Sequence, residues 1–297
     1  MSGVAPVLRG IFAPIPTPFV GGSIAYDKLK DNVTKWGRTS LSGLVVLGSN
    51  GEFPLLSLDE KVRLVEKVRE WLPREKLVIA GTGCEATSEA VSLSRLYAKA
   101  GADYALVLNP QFYKESYSGK VLRHYFQSVA ELSPLPIVLY NMPKNTGLNL
   151  APDLVLELSQ HKNICGLKDS SGNLVQITEI CRSAGPSFAV LAGSASFLLP
   201  ALSVGAVGGT LALANIMPEE CVAVLELFHA GRVAEARALQ WRLLEPNHAV
   251  TSLFGIAGLK AALDYLGYFG GDPKEPLLPL EVGEREKLVA VLKSAGL

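Results

Sequence analysis

Ile164-Cys165-Gly166-Leu167-Lys168-Asp169-Ser170-Ser171-Gly172 decides the fold. It opens with an apolar run and closes with turn formers. Such a run reads as a strand of a parallel sheet, buried on both faces. Seven more apolar runs end in polar or Gly/Pro turns: Gly10–Phe19, Gly43–Gly48, Leu77–Gly81, Tyr104–Asn109, Ile137–Tyr140, Ala189–Gly193 and Val207–Leu213. They recur roughly every 25–30 residues with helical periodicity between them, as in repeated βα units. Ser57-Leu58-Asp59-Glu60 is a capping box opening a helix over Leu58–Trp71. Thr87 or Ser88 is placed to cap Glu89–Ala100, with Gly101 ending it. Pro152 stands at the start of Asp153–Gln160, where proline is tolerated.

Eight strands with intervening helices predict an α/β fold, a (β/α)8 TIM barrel over residues 1–217. A doubly wound sheet is the runner-up, since it usually has fewer strands. After the eighth run the strands stop. Pro218–Ala230, Ala234–Asn247, Ile256–Leu266 and Gly283–Ser294 read as helices, so residues 218–297 are expected to form a C-terminal helical extension.

At 297 residues and 48% hydrophobic, the chain can bury a large core. Lys+Arg and Asp+Glu both number 28, so no charge imbalance or basic stripe invites nucleic acid. No apolar stretch reaches membrane-spanning length. Cys84, Cys165, Cys181 and Cys221 are widely spaced and form no CxxC pair, which predicts reduced thiols in an intracellular protein. Met1-Ser2-Gly3-Val4 lacks the pattern of a signal peptide, so a cytoplasmic location is expected. A mitochondrial matrix location is the alternative, if a transit segment has been removed. Asn32-Val33-Thr34 matches a glycosylation sequon that carries no weight without secretion.

In such a barrel, chemistry gathers at the C-terminal ends of the strands. Those ends offer Ser49-Asn50-Gly51, Gln111-Phe112-Tyr113, Tyr140, Asn145, Lys168-Asp169-Ser170 and Gly193-Ser194. No histidine falls there, and no HExxH or other metal-ligand spacing occurs, so no metal is expected. Gly81-Thr82-Gly83-Cys84-Glu85-Ala86 matches a dinucleotide fingerprint. Its acid is misplaced, because Asp103 starts the next strand rather than ending it. A buried lysine is costly as an ammonium, but a neutral amine can condense with a ketone. A phenol beside it can move the protons. Backbone N–H groups of Gly48–Gly51 can hold a carboxylate without a cation. Singly, each residue has a plainer reading: a strand-end lysine, a core or loop aromatic, an ordinary turn. Their placement on one rim favours the chemical one.

Three ordered motifs carry a family resemblance: Gly48-Ser49-Asn50-Gly51-Glu52, Tyr140-Asn141-Met142-Pro143…Thr146-Gly147 and Gly166-Leu167-Lys168-Asp169-Ser170-Ser171-Gly172. With them, almost the whole chain resembles the pyruvate-dependent class I aldolases of the dihydrodipicolinate synthase / N-acetylneuraminate lyase family. That resemblance implies a Schiff base between Lys168 and the 2-oxo carbon, with no other cofactor. It implies Tyr140 as the acid/base phenol and Ser49 as a proton relay to Tyr113 of a neighbouring subunit. Backbone N–H groups of Ser49 and Asn50 would hold the substrate carboxylate. It also implies a homotetramer, a dimer of dimers, acting on a small 2-oxo acid.

Two features depart: the second-strand motif, usually Gly-Thr-Thr-Gly-Glu, is Gly48-Ser49-Asn50-Gly51-Glu52 followed by Phe53-Pro54, and one position differs from the synthases. Asn145 stands where they carry an arginine for an amino-acid carboxylate. Ala80–Glu85, Leu191–Ala195, Glu245-Pro246-Asn247, Phe254-Gly255-Ile256, Gly258-Leu259-Lys260 and Gly267–Gly271 are more similar to the family's 4-hydroxy-2-oxoglutarate aldolases. The implied reaction is reversible cleavage to pyruvate and glyoxylate. Asn145 and Ser170 would then line the substrate's distal half, and Gly193 is a further candidate for substrate binding. A synthase or a sugar-acid aldolase is the alternative.

Overall fold

The computed structural model describes residues 7–297, so the signal-peptide reading of Met1–Val4 lies outside it. Eight strands run parallel and close into one barrel. They are β1 Gly10–Pro14, β2 Gly43–Val46, β3 Leu77–Gly81, β4 Tyr104–Leu108, β5 Ile137–Asn141, β6 Ile164–Asp169, β7 Ala189–Ala192 and β8 Gly208–Thr210. Each strand pairs with its chain neighbours, and β8 closes the ring on β1 through Gly10↔Gly208 and Phe12↔Thr210. Closure needs glycine at 208, because a Cβ there would sit 1.9 Å from the Gly10 carbonyl oxygen.

Period-two alternation sorts the side chains into two cores. Phe12, Val45, Ile79, Leu106, Val138, Tyr140 and Leu191 fill the barrel interior. Ile11, Leu44, Val46, Val78, Val107, Leu139 and Leu167 face outward into the helical layer. Lys168 lies one residue from Leu167 and so turns inward, toward the interior set.

The helices begin and end for local reasons. Ser57 Oγ accepts from Glu60 N at 3.3 Å, and Glu60 Oε2 accepts from Ser57 N at 2.8 Å, completing the expected capping box of Leu58–Trp71. The next expectation is corrected. The helix is Thr87–Lys99 with Ala86 as its N-cap, and neither Thr87 nor Ser88 caps it. Ala86 is already extended and its carbonyl accepts from Glu89 N at 3.1 Å, so the chain turns one residue earlier. The first predicted run also splits. Pro14, Pro16 and Pro18 supply no ladder N–H, so β1 stops at Pro14 and a short hairpin, Phe19–Val20 with Ser23–Ile24, follows.

Beyond β8 come helices Pro218–His229, Val233–His248, Gly255–Tyr265 and Val282–Ser294. A π-helical turn, Ala249–Leu253, joins the second and third. Helix Tyr26–Gly37 ties this region to the barrel. Trp36 Nε1 donates to Asn215 O at 3.0 Å, and its ring stacks on Tyr268 with centroids 5.4 Å apart. Asn32 donates to Phe269 O at 2.8 Å and accepts from Phe269 N at 2.9 Å. That asparagine is 1% exposed, so the sequon is a structural clamp and offers no acceptor for glycosylation. Trp36→Ala removes the stack, the hydrogen bond and the fill of a fully buried site. It is expected to cost about 3–5 kcal/mol, read as a lower midpoint in chemical denaturation.

Among the described residues no helix is long and apolar enough to cross a membrane. All four cysteines are free. Burial pushes the Cys84 and Cys165 thiols up to about 12 and Cys181 up to about 11, and it raises Cys221 as well. Thiols of that kind stay protonated near neutrality and are poor nucleophiles.

Candidate active site

A cavity of about 500 Å³ opens at the C-terminal mouth of the barrel. Lys168, Tyr140, Ser49, Asn50, Asn145, Ser170 and Gly193 all line it, as the rim argument expects. Lys168 is only 4% exposed, and it sits opposite Tyr140 in the β5–β6 register. Its Nζ lies 4.1 Å from the centroid of the Tyr140 ring. Ser49 Oγ stands 3.5 Å from the Tyr140 hydroxyl, a long separation for a hydrogen bond.

The phenol is electrostatically tuned. Burial pushes the Tyr140 pKa up. The Lys168 charge, with hydrogen bonds to Ser49, Lys168 and Ser170, outweighs burial and leaves the phenol below its ordinary value. A tyrosine so placed forms its phenolate more readily, which suits a proton carrier.

The backbone of the second-strand loop is unusual. Gly48 leads into a 3-10 turn, Ser49–Gly51. Leu47 before it (φ 61°) and Glu52 after it (φ 58°) both adopt the left-handed region that side chains rarely occupy. Thr17 Oγ1 donates to Gly51 O at 2.8 Å, and Asn50 Nδ2 to Pro14 O at 3.3 Å. The first N–H groups of such a turn have no partner within it. They are a suitable place for a carboxylate.

Asp169 faces away from Lys168, by the same alternation, and organises the sixth-strand loop. Its Oδ2 accepts from Asn141 Nδ2 at 2.8 Å and Gln176 Nε2 at 3.0 Å. Its Oδ1 accepts from Ser171 N at 2.8 Å and Ser171 Oγ at 2.5 Å. Ser170 is thereby held against the neighbouring strand's loop. Gly193 completes that fit, because a Cβ on it would lie 2.0 Å from Ser170 Oγ.

Tyr113 is the exception among the predicted residues. It is 65% exposed on the fourth-strand loop, edge-on to Phe112, and does not line the cavity of its own chain. Glu85 shapes that loop, accepting from Gln111 N and Phe112 N at 3.1 and 3.0 Å and from Tyr117 OH at 3.2 Å. Glu85 lies within the glycine-rich stretch that matches a dinucleotide fingerprint, and it serves a neighbouring loop. Asp103 is likewise engaged, by Val78 N at 2.8 Å and Arg69 at 3.5 Å. Gly81 is required by packing, since a Cβ there would meet Leu47 O at 2.0 Å.

One wall escaped the reading by strand ends. Val250, Thr251, Ser252, Gly255 and Ile256 come from the π-turn and the helix after it. Asn247 donates to Ser194 Oγ at 3.1 Å and Ser196 Oγ at 2.7 Å, fixing the seventh-strand loop. Gln240 donates to Ala195 O at 2.7 Å and accepts from Leu199 N at 3.0 Å. The segments Glu245-Pro246-Asn247 and Phe254-Gly255-Ile256 were the available signal, carried only by resemblance. Among the described residues no three His, Cys, Asp or Glu side chains converge on a possible metal position.

A closed barrel with a buried amine beside a tuned phenol at its mouth defines a class, the carbon–carbon lyases of class I aldolase type. Comparison with known proteins gives the family. Residues 7–295 match the model of the dihydrodipicolinate synthetase family, and the chain belongs to that family. Its members work through a lysine Schiff base without a cofactor. A 4-hydroxy-tetrahydrodipicolinate synthase from Methanothrix thermoacetophila is 38% identical, over 96% of each chain. Another, from Geotalea uraniireducens, is 34% identical over 98% of this chain and all of its own. A dihydrodipicolinate synthase structure from Bacillus anthracis superposes with a TM-score of 0.92 at 30% identity, covering 96% of this chain and 98% of its own. YagE of Escherichia coli K12, solved in complex with pyruvate, gives 0.92 at 28% identity, covering 98% of this chain and 100% of its own.

Proposed function

We propose that the protein cleaves 4-hydroxy-2-oxoglutarate reversibly to pyruvate and glyoxylate. The observation that carries this reading is the cavity lining. A lysine and a tyrosine stand together on it, and the polar groups beside them are the amides and hydroxyls of Asn145, Ser170, Ser194, Ser196 and Thr251. Apolar wall comes from Met142, Phe197, Val250 and Ile256, and no arginine lines it among the described residues. Lys144 adds a cation to the same wall, which suits a small substrate with two carboxylates.

In this reading Lys168 Nζ adds to C2 of the substrate and water leaves, forming an iminium. The C3–C4 bond then breaks. Its electron pair moves into the enamine, and the 4-hydroxyl proton passes to Tyr140. Glyoxylate departs, the enamine carbon takes up a proton, and water hydrolyses the imine to release pyruvate and the free amine. Backbone N–H groups of Ser49 and Asn50 hold the C1 carboxylate. Asn145 and Ser170 border the distal half, and Gly193 lets Ser170 sit close. Ser49 connects Tyr140 to Tyr113 of a neighbouring copy in a homotetramer. The exposed Phe112 and Tyr113 support such a contact. One relative of known structure, 27% identical, is described as a monomeric variant. In the same reading the enzyme works in the cytoplasm.

A second reading, 4-hydroxy-tetrahydrodipicolinate synthase, is favoured by the names of the relatives. The two differ in the aldehyde that joins pyruvate. Condensation rates with glyoxylate and with aspartate semialdehyde separate them. Glyoxylate is expected to be the better partner by at least about tenfold, because the site lacks the arginine whose fork would pair bidentately with an amino-acid carboxylate, and Lys144 offers only a point charge. Efficient semialdehyde condensation with inert glyoxylate would establish the synthase instead.

A further inference from the structure

The turn Ser49–Gly51 is bolted to the C-terminal helices by a buried ion pair. Glu52 Oε1 lies 2.6 Å from Lys260 Nζ, and the two side chains are 0% and 1% exposed. Glu52 Oε2 also accepts from Lys274 N at 2.7 Å. Lys260 donates to Asp272 O at 2.9 Å, and its Nζ sits 4.4 Å from the Phe19 ring centroid. Lys260 belongs to helix Gly255–Tyr265, whose first residues line the cavity.

Burying two charges costs more in desolvation than an ordinary apolar pair, so stability is a weak reason for this arrangement. Position is a better one. Glu52 holds its left-handed backbone directly after the turn, and a carboxylate with two fixed partners can enforce that conformation. Charge is a second reason. An unpaired Glu52 behind the turn would repel an anion in front of it, and the Lys260 ammonium cancels that field.

We propose that Glu52 and Lys260 are positioning residues for the carboxylate of the 2-oxo acid, which makes the C-terminal helices a working part of the site. This rests on the reading that Ser49 and Asn50 hold that carboxylate. The pair touches no reacting atom. It sets the turn and keeps the ground behind it neutral.

The test uses the full chain and borohydride trapping on Lys168, with pyruvate and with methyl pyruvate, the same ketone without the charge. Lys260→Met leaves the Glu52 carboxylate unpaired behind a loosened turn, and it is expected to slow pyruvate trapping at low concentration by about tenfold while changing ester trapping less than about twofold. KM for the 2-oxo acid should rise more than kcat falls. Because Lys260→Met leaves a buried carboxylate unpaired and can fail to fold, the charge-neutral double variant Glu52→Gln/Lys260→Met is run beside it. Loss of the pyruvate-over-ester preference in either folded variant supports the proposal. An unchanged preference, or an equal fall for both ketones, overturns it. Absence of any adduct in the wild-type protein would remove the functional reading itself, and the proposal with it.

Discussion

Lys168→Met is expected to abolish turnover and the borohydride-trapped pyruvate adduct while leaving the fold intact. The loss should exceed about four decades, or ~5.4 kcal/mol at 1.36 kcal/mol per decade, because no other amine can supply the covalent route. Only one other lysine, Lys144, lines the cavity, and it is exposed at the rim. Methionine matches the length of the lysine stem and needs no partner, so the barrel interior around Tyr140 and Leu191 keeps its packing. Circular dichroism and thermal melting check the fold, and peptide mapping after reduction checks the adduct. An adduct of normal yield on another residue would remove Lys168 from the mechanism.

Tyr140→Phe is the second large effect. It keeps the ring that Lys168 Nζ faces at 4.1 Å and deletes only the hydroxyl. Retro-aldol kcat should fall by about 10²–10⁴-fold, the usual contribution of a positioned acid/base. The adduct should still form, more slowly, because the amine remains. The pH dependence gives an independent check. Burial alone would raise this phenol, but the Lys168 charge, followed by the hydrogen bonds, brings it below the ordinary value. The phenolate is the base, so the wild-type rate should climb with pH as this group ionises. That limb should vanish in Tyr140→Phe. In Lys168→Met the largest lowering cause is gone and burial remains, so phenolate absorbance should appear at higher pH than in the wild type. Unchanged titration would mean that the amine and phenol do not interact.

The barrel was legible because its strands are short apolar runs closed by turns, a local pattern that tertiary contacts do not need to complete. Leu77–Gly81 has the expected limits, and most other strands shift by a residue or two. The errors have local causes as well. Prolines cut the first run, and Val207–Leu213 shortens to Gly208–Thr210 because Ala212–Asn215 winds into a 3-10 turn. Rim residues were legible for a related reason. In a parallel barrel, the end of each strand arrives at the same face whatever lies between.

The sequence by itself determined the eight-strand alternation and the rim that carries Lys168, Tyr140, Ser49, Asn145 and Ser170. Each of these follows from a period or a spacing within one segment. Only the tertiary structure decided that Thr251, Ser252 and Ile256 close the cavity, and that Glu52 meets Lys260 across the chain. Only it showed that Asn32, met in the sequence as part of a sequon, is a buried clamp on Phe269. These contacts join segments whose own patterns say nothing of each other. Their partners are chosen by how the helices fold back over the barrel mouth, and that is a property of packing, which no single stretch of sequence encodes.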